Sequence, residues 1–184
     1  MIHAQYFCTI MIKKGLFQTL STQLKGKKMA RSTENSNKVL VISKKDDSPK
    51  YWMSKGEYTN IIVNAEQTNN EYVITDGIIE SKGFVPDHYH KWEDQTFHVI
   101  EGSVRAKIGE HWFDLNVGDT VHCPRGTSHY IENNGKVNAR LVSYIFPGNW
   151  AEEFFAETSR QNHSGEQDQK LIEEKFGVVY TQKH

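Results

Sequence analysis

From Val39 onward the chain is written as short runs of β-branched and aromatic residues separated by turn residues, and this texture restricts the fold more than any other feature. The runs are VLVIS at 39–43, EYTNIIVN at 57–64, EYVITDGIIES at 71–81, QTFHVIEG at 95–102, SVRAKIG at 103–109, HWFDLNVGD at 111–119, TVHCP at 120–124 and ARLVSYIFP at 139–147. Between them stand Asp76-Gly77, Glu101-Gly102, Gly109-Glu110, Gly118-Asp119 and Asn133-Asn134-Gly135. Many short strands joined by Gly and Asn turns predict an antiparallel sandwich or barrel. A parallel βαβ protein would need helical stretches between the strands, and none occurs before Asn149. No internal repeat is visible, so one barrel is expected rather than a tandem pair.

After Pro147-Gly148 the apolar period changes. Trp150, Phe154 and Phe155 fit one helical face through about Thr158, Ser159 to Gly165 reads as a polar break, and Glu166 to Phe176 reads as a second helix with Leu171, Ile172 and Phe176 on one side. Gly177 supplies its stop. Both helices are expected to pack on the outside of the barrel. The chain then divides into a leader at 1–36, a β-barrel at 37–148 and a C-terminal helical extension at 149–184.

A length of 184 residues suits one domain with a proper core plus extra arms. The formal net charge of -1, with no basic stripe, gives no sign of a nucleic-acid partner. No apolar run approaches the roughly 20 residues of a membrane span. Cys8 and Cys123 stand too far apart to suggest a disulfide framework, which points to a reducing compartment and a cytoplasmic protein. Cys123, just before Pro124, reads as a small buried hydrophobe. The first acidic residue is Glu34, preceded by six Lys and Arg residues between Lys13 and Arg31. That leader is either an organelle transit peptide or upstream sequence ahead of a start at Met29.

The chemistry is concentrated in two segments. In the first, Gly83 is followed by His88, His90, Gln95 and Gly102. Residues two apart on a strand share a face, so His88 and His90 aim into one space at a separation that lets both reach one divalent ion. An exposed strand face can carry the same pair without any metal. In the second, Gly118-Asp119 turns into a strand, and Pro124 and Gly126 end it in a bend that presents His129 at the start of the next. A third histidine from a separate hairpin is what a closed barrel needs to complete a facial set of ligands.

These segments resemble the paired signature motifs of the cupin superfamily. The second motif, G-x5-P-x-G-x2-H-x3-N, is matched at Gly118, Pro124, Gly126, His129 and Asn133. The first is matched at Gly83, His88, His90 and Gly102, with one residue fewer than usual between Gly83 and His88. The chain resembles in particular the small single-domain cupins described as quercetin 2,3-dioxygenase-like, through Phe146-Pro147-Gly148, Glu153-Phe154-Phe155 and the segment Leu171 to Val178. The resemblance covers roughly residues 55–181. It implies an all-β fold, an antiparallel double-stranded β-helix or jelly-roll barrel, with His88, His90 and His129 as metal ligands. It also implies a homodimer paired through edge strands, for which the run at 39–43 could serve. The ion implied is Fe(II) first, with Mn, Ni, Co or Zn as alternatives.

One position departs from the family. Where the resemblance calls for a glutamate ligand the chain has Gln95, a neutral donor that cannot act as a base. Gln95 is a fourth ligand in a site of altered chemistry, or it stands behind a three-histidine site, or Glu93 or Asp94 turns inward to replace it. A neutral fourth ligand leaves the ion its full charge, which strengthens it as a Lewis acid and disfavours higher oxidation states. Alternation places Phe97 with Gln95, and Ile131 with His129, so both are expected to line an apolar substrate pocket. Val99 reads as core, His98 and His122 as outward-facing, and His111 as exposed. Trp92 and Tyr89 form either a lip over the site or a dimer contact. The functional expectation is a metal-dependent dioxygenase or oxidoreductase acting on a small, partly apolar enol- or phenol-type substrate. The alternatives are a non-redox isomerase or cyclase and a non-catalytic small-molecule or metal-binding module.

Overall fold

The computed structural model describes residues 48–181; the leader at 1–36 and the strand expected at 39–43 lie outside them. In chain order the described elements are β1 (Tyr51–Ser54), β2 (Glu57–Val63), a 3-10 turn (Glu66–Thr68), β3 (Val73–Ile79), β4 (Phe84–His90), β5 (Asp94–Glu101), β6 (Ser103–Ile108), β7 (His111–Asn116), β8 (Thr120–Cys123), β9 (His129–Glu132) and β10 (Ala139–Phe146). Two helices and a last strand follow, α1 (Ala151–Ser164), α2 (Gln169–Phe176) and β11 (Val178–Tyr180).

From β3 to β10 the chain passes repeatedly between two antiparallel sheets. One has the order β1-β2-β3-β10-β5-β8 and the other β11-β4-β9-β6-β7. This is the expected jelly-roll barrel. Register decides which residues meet inside. Across the first sheet Thr59 stands beside Gly77, Gly77 beside Leu141, and Leu141 beside Val99; the next row runs Ile61, Thr75, Ser143, Phe97, Val121. Because side chains alternate along each strand, these rows face inward while their neighbours face water.

The core separates into two clusters. At one end Val99, Val104, Ala106, Ile131, Ala139 and Leu141 close the barrel with aliphatic side chains. At the other end Phe154, Phe155, Ile172 and Phe176 of the helices pack against Ile61, Val73 and Ile145 of the sheet. The two helices thus pack onto the barrel through one shared apolar cluster, as expected for them.

One expectation for the C-terminal segment is corrected. The polar stretch after Thr158 is not a break, because α1 continues through it to Ser164. Its polar residues are used by the protein instead of by water. Ser159 Oγ accepts from the Trp52 backbone N–H at 3.0 Å, and Asn162 Nδ2 donates to the Trp52 carbonyl at 2.9 Å, so α1 satisfies the unpaired edge of β1. The second helix stops at Gly177 as expected, and a short strand follows it. Asp168 caps α2 by accepting from Leu171 N at 2.9 Å, Gly177 leaves it at φ 69, and β11 then pairs with β4, setting Val178 beside His90 and Tyr180 beside His88. Among the described residues no helix is long and apolar enough to cross a membrane.

Candidate metal centre and chamber

Strands β4 and β9 lie side by side, with His88 opposite His129, and His90 follows two residues on. All three imidazoles are buried, and one ring nitrogen from each lies within 4.8 Å of the others. His88 Nε2 stands 3.2 Å from His90 Nε2. The rings of His88 and His129 are 4.2 Å apart, and those of His90 and His129 5.6 Å apart and stacked.

The opposite nitrogen of each ring is held from behind. His88 Nδ1 donates to the Pro86 carbonyl at 2.7 Å, His129 Nδ1 points at the Thr127 carbonyl at 3.4 Å, and His90 Nδ1 lies 3.5 Å from the Glu93 carboxylate. Each acceptor keeps the proton on Nδ1 and leaves a bare lone pair on Nε2. Three converging lone pairs have nothing to bond to among themselves, and His129 Nε2 is buried without a hydrogen-bond partner. A divalent cation satisfies all three. An acceptor behind each ligating histidine is the usual support of a metal-binding imidazole.

Burial, followed by the proximity of His90, pushes His88 down to about 3 from its usual 6.5. His129 is held well below its usual value by burial and then by His88 and His90. Neutral rings are the form that binds metal. The loop between β8 and β9 is tied to the same place. Gly126, at φ 79, donates its N–H to the His90 carbonyl at 2.7 Å, so the bend that delivers His129 is anchored on the end of the H-x-H strand. Asn133, buried to 1 %, donates to the Ile79 and Val137 carbonyls at 2.9 and 2.8 Å and accepts from Gly135 N. The motif's asparagine thus holds the turn and takes no part in the site.

Three side chains bear on the fourth position. Gln95 is buried beside the histidines, with Nε2 toward Ser143 Oγ at 3.4 Å and Oε1 without a hydrogen-bond partner. Glu93 is buried behind His90 and orients that ring. Asp94 faces outward into a two-pronged pair with Arg125, at 3.0 and 2.9 Å, whose hydrogen bonds hold its carboxyl down at about 2. Neither acid occupies the position of Gln95.

In front of the histidines is a narrow chamber of about 60 Å³, lined mainly by apolar side chains. Phe97 lines it as expected, 5.7 Å from the His129 ring. Ile131 does not. It is fully buried in the aliphatic cluster, because β4 and β6 set Val85 and Ala106 beside it and seal that end of the barrel. Val99 and Cys123 are core, and burial raises the Cys123 thiol to about 12. His98 and His122 face outward, bonded to Thr120 and Thr96, and His111 is exposed. Neither Trp92 nor Tyr89 lines the chamber. Trp92 instead covers Gly177, where an added Cβ would stand 2.7 Å from the indole.

Several chamber residues were not foreseen. Phe154 and Phe155 come from α1, Tyr180 from β11, and Met53, Glu57 and Thr59 from β1 and β2. The tertiary fold alone brings them there, although Glu57, Thr59 and Ile61 do share a face of β2. A wider cleft of about 290 Å³ adjoins the chamber and shares Met53, Pro86 and Tyr180 with it, so these side chains form the threshold between the two.

The family model "Cupin domain" matches residues 77–145. A tetracenomycin polyketide synthase protein of Streptomyces glaucescens is 36% identical over 63 residues, covering 34% of this chain and 42% of that protein. Quercetin 2,3-dioxygenase of Bacillus subtilis is 27% identical over 94 residues, 50% of this chain and 28% of that protein. The chain thus spans less than half the length of either relative. Among solved structures, the polyketide cyclase RemF of Streptomyces resistomycificus superimposes with a TM-score of 0.52 at 18% identity, covering 59% of this chain and 80% of that one, which bears on the fold alone. The jelly-roll topology, the two spaced histidine motifs and the family match agree that residues 77–145 carry a cupin domain.

Proposed function

We propose that this protein is a metal-dependent oxygenase of small enol- or phenol-type molecules, with His88, His90 and His129 holding the ion and Gln95 completing the set through its amide oxygen. The observation that carries the proposal is the convergence of three buried imidazoles on one point, two of which, His88 and His90, line an apolar chamber. When bound, a divalent ion such as Fe(II) would supply a Lewis-acidic, redox-capable centre that takes a deprotonated enol or phenol oxygen. The chain does the rest. The imidazoles hold their places through Pro86, Thr127 and Glu93, while Phe97, Phe154 and Leu141 exclude water and accept an apolar ring. The similarity to quercetin 2,3-dioxygenase, an enzyme of that substrate type by name, supports the oxygenase.

Gln95 favours a second reading, a Lewis-acid isomerase or cyclase. The set is neutral, and the Glu93 carboxylate stands behind His90, so a bound ion keeps its full charge and no carboxylate at position 95 accepts a substrate proton. The resemblance to a polyketide synthase protein fits this reading. The test is metal analysis of the purified protein, followed by oxygen uptake with flavonols, β-diketones and catechols after loading with Fe(II), Mn(II), Ni(II) or Co(II). Uptake with at least one substrate class supports the oxygenase. Full metal loading without uptake on any class sinks it in favour of the Lewis acid, and failure to bind any metal sinks both.

A further inference from the structure

The chamber has a second polar region that the metal reading does not use. On β2, Glu57 and Thr59 alternate onto the inner face of the six-stranded sheet, across the barrel from the strands that carry the histidines. Both line the chamber. Thr59 is 6% exposed, and its hydroxyl is buried with no hydrogen-bond partner. A buried hydroxyl without a partner costs about 1–3 kcal/mol, which is a reason to look for what completes it.

Glu57 is equally unusual for a core-facing position. Its carboxyl contacts Ser54 Oγ at 3.1 Å, and Ser54 Oγ also bonds the Phe84 carbonyl. A hydroxyl has one proton, and a carbonyl can only accept it. The single Ser54 proton is thus shared between the Phe84 carbonyl and the Glu57 carboxyl, which leaves the carboxylate weakly supported. Burial outweighs that donation and raises the group to about 8. At neutral pH the inner face of β2 thus presents a neutral acid and an unpaired hydroxyl to an apolar space.

We propose that Glu57 and Thr59 form a second pole of the chamber, a subsite that hydrogen-bonds an oxygen of the substrate on the side remote from the metal. This deepens the proposed function and rests on it. The small volume of the chamber, about 60 Å³, limits what it takes to a single ring. The ligand class is then a single ring with oxygens at both ends: an ionisable enol or catechol oxygen for the metal and a carbonyl oxygen for the Glu57 O–H. Larger substituents would pass the threshold at Met53, Pro86 and Tyr180 into the outer cleft.

The test titrates the Zn(II)-loaded full chain by calorimetry with catechol and with 3,4-dihydroxyacetophenone, which adds a carbonyl across the ring. Wild type, Glu57→Leu, Glu57→Gln and Thr59→Val are compared, with zinc content measured for each. The expected result is a loss of about five- to tenfold in affinity for the acetophenone in Glu57→Leu, unchanged catechol binding, and near-complete retention in Glu57→Gln, whose amide still donates. Thr59→Val is expected to weaken the acetophenone in the same selective way. Equal effects on both ligands, or none on either, would overturn the subsite while leaving the metal reading intact, as would zinc loading without binding of either ligand. Absence of zinc from wild type would overturn the metal reading itself, and the subsite with it.

Discussion

Acid should destabilise the metal-free protein through His88 by an amount that can be isolated. His88 is held near 3 in the fold against a usual 6.5, so below pH 6.5 the unfolded chain takes up a proton that the folded chain refuses. Stability therefore falls as pH drops, since unfolding is favoured wherever the unfolded state binds more protons. At pH 5 the folded ring is still neutral while the unfolded one is almost fully charged. Near 1.4 kcal/mol per pH unit, the loss between pH 7 and pH 5 comes to about 2 kcal/mol. Glu57, raised to about 8, works the other way over the same interval, and His129 adds to the loss, so the total slope says little about His88 alone. The comparison needed is wild type against His88→Asn, each unfolded in urea with a chelator present at pH 7 and pH 5. The variant should lose about 2 kcal/mol less between the two pH values. Parallel profiles would refute the reasoning, because they would mean that His88 titrates in the fold as it does in water. Saturating Zn(II) should raise stability in wild type, since a ligand bound only by the folded state stabilises it.

Four further outcomes are expected. His129→Ala should abolish stoichiometric zinc binding by metal analysis, whereas Gln95→Ala should only weaken it, because three charge-neutral nitrogens remain converged without the amide. Asn133→Ala removes three buried hydrogen bonds and should cost about 3 kcal/mol in urea unfolding without altering the ligand set. Gly83→Ala places a Cβ 2.3 Å from the Gly56 carbonyl oxygen, a backbone clash that should cost at least 2–3 kcal/mol, in the range seen for overpacking, or prevent soluble expression. Gly77→Ala adds a methyl 3.6 Å from Thr59 Oγ1, an ordinary contact, so thermal stability should hold while affinity for ring ligands falls as the chamber fills.

How legible the site was varies residue by residue. His88, His90 and His129 could be found from spacing, because the strand period of two and the Pro124–Gly126 bend are local features that act without the rest of the barrel. Phe97 followed from the same alternation. Ile131 failed although its alternation was read correctly: an inward direction does not say which end of the barrel a residue faces, and Val85 and Ala106 close that end. The helix through Ser159 and Asn162 was missed because their partners, the N–H and carbonyl of Trp52, lie more than a hundred residues away. The same distance hid β11, a strand too short to announce itself and held in place by β4.

The sequence by itself determined the strand-rich barrel, the metal-type histidine pattern and the substitution of glutamine for an acid at position 95, since each depends on residue type and short-range period. Only the tertiary structure decided that Glu57, Thr59 and Tyr180 share a chamber with His88 and His90 and that α1 brings Phe154 and Phe155 to its wall. The physical reason is that register between strands and the docking of helices are set by packing of the whole core, which joins residues with no local relation in the chain. Neither the polarity of the far wall nor the size of the chamber could be read before those contacts were made.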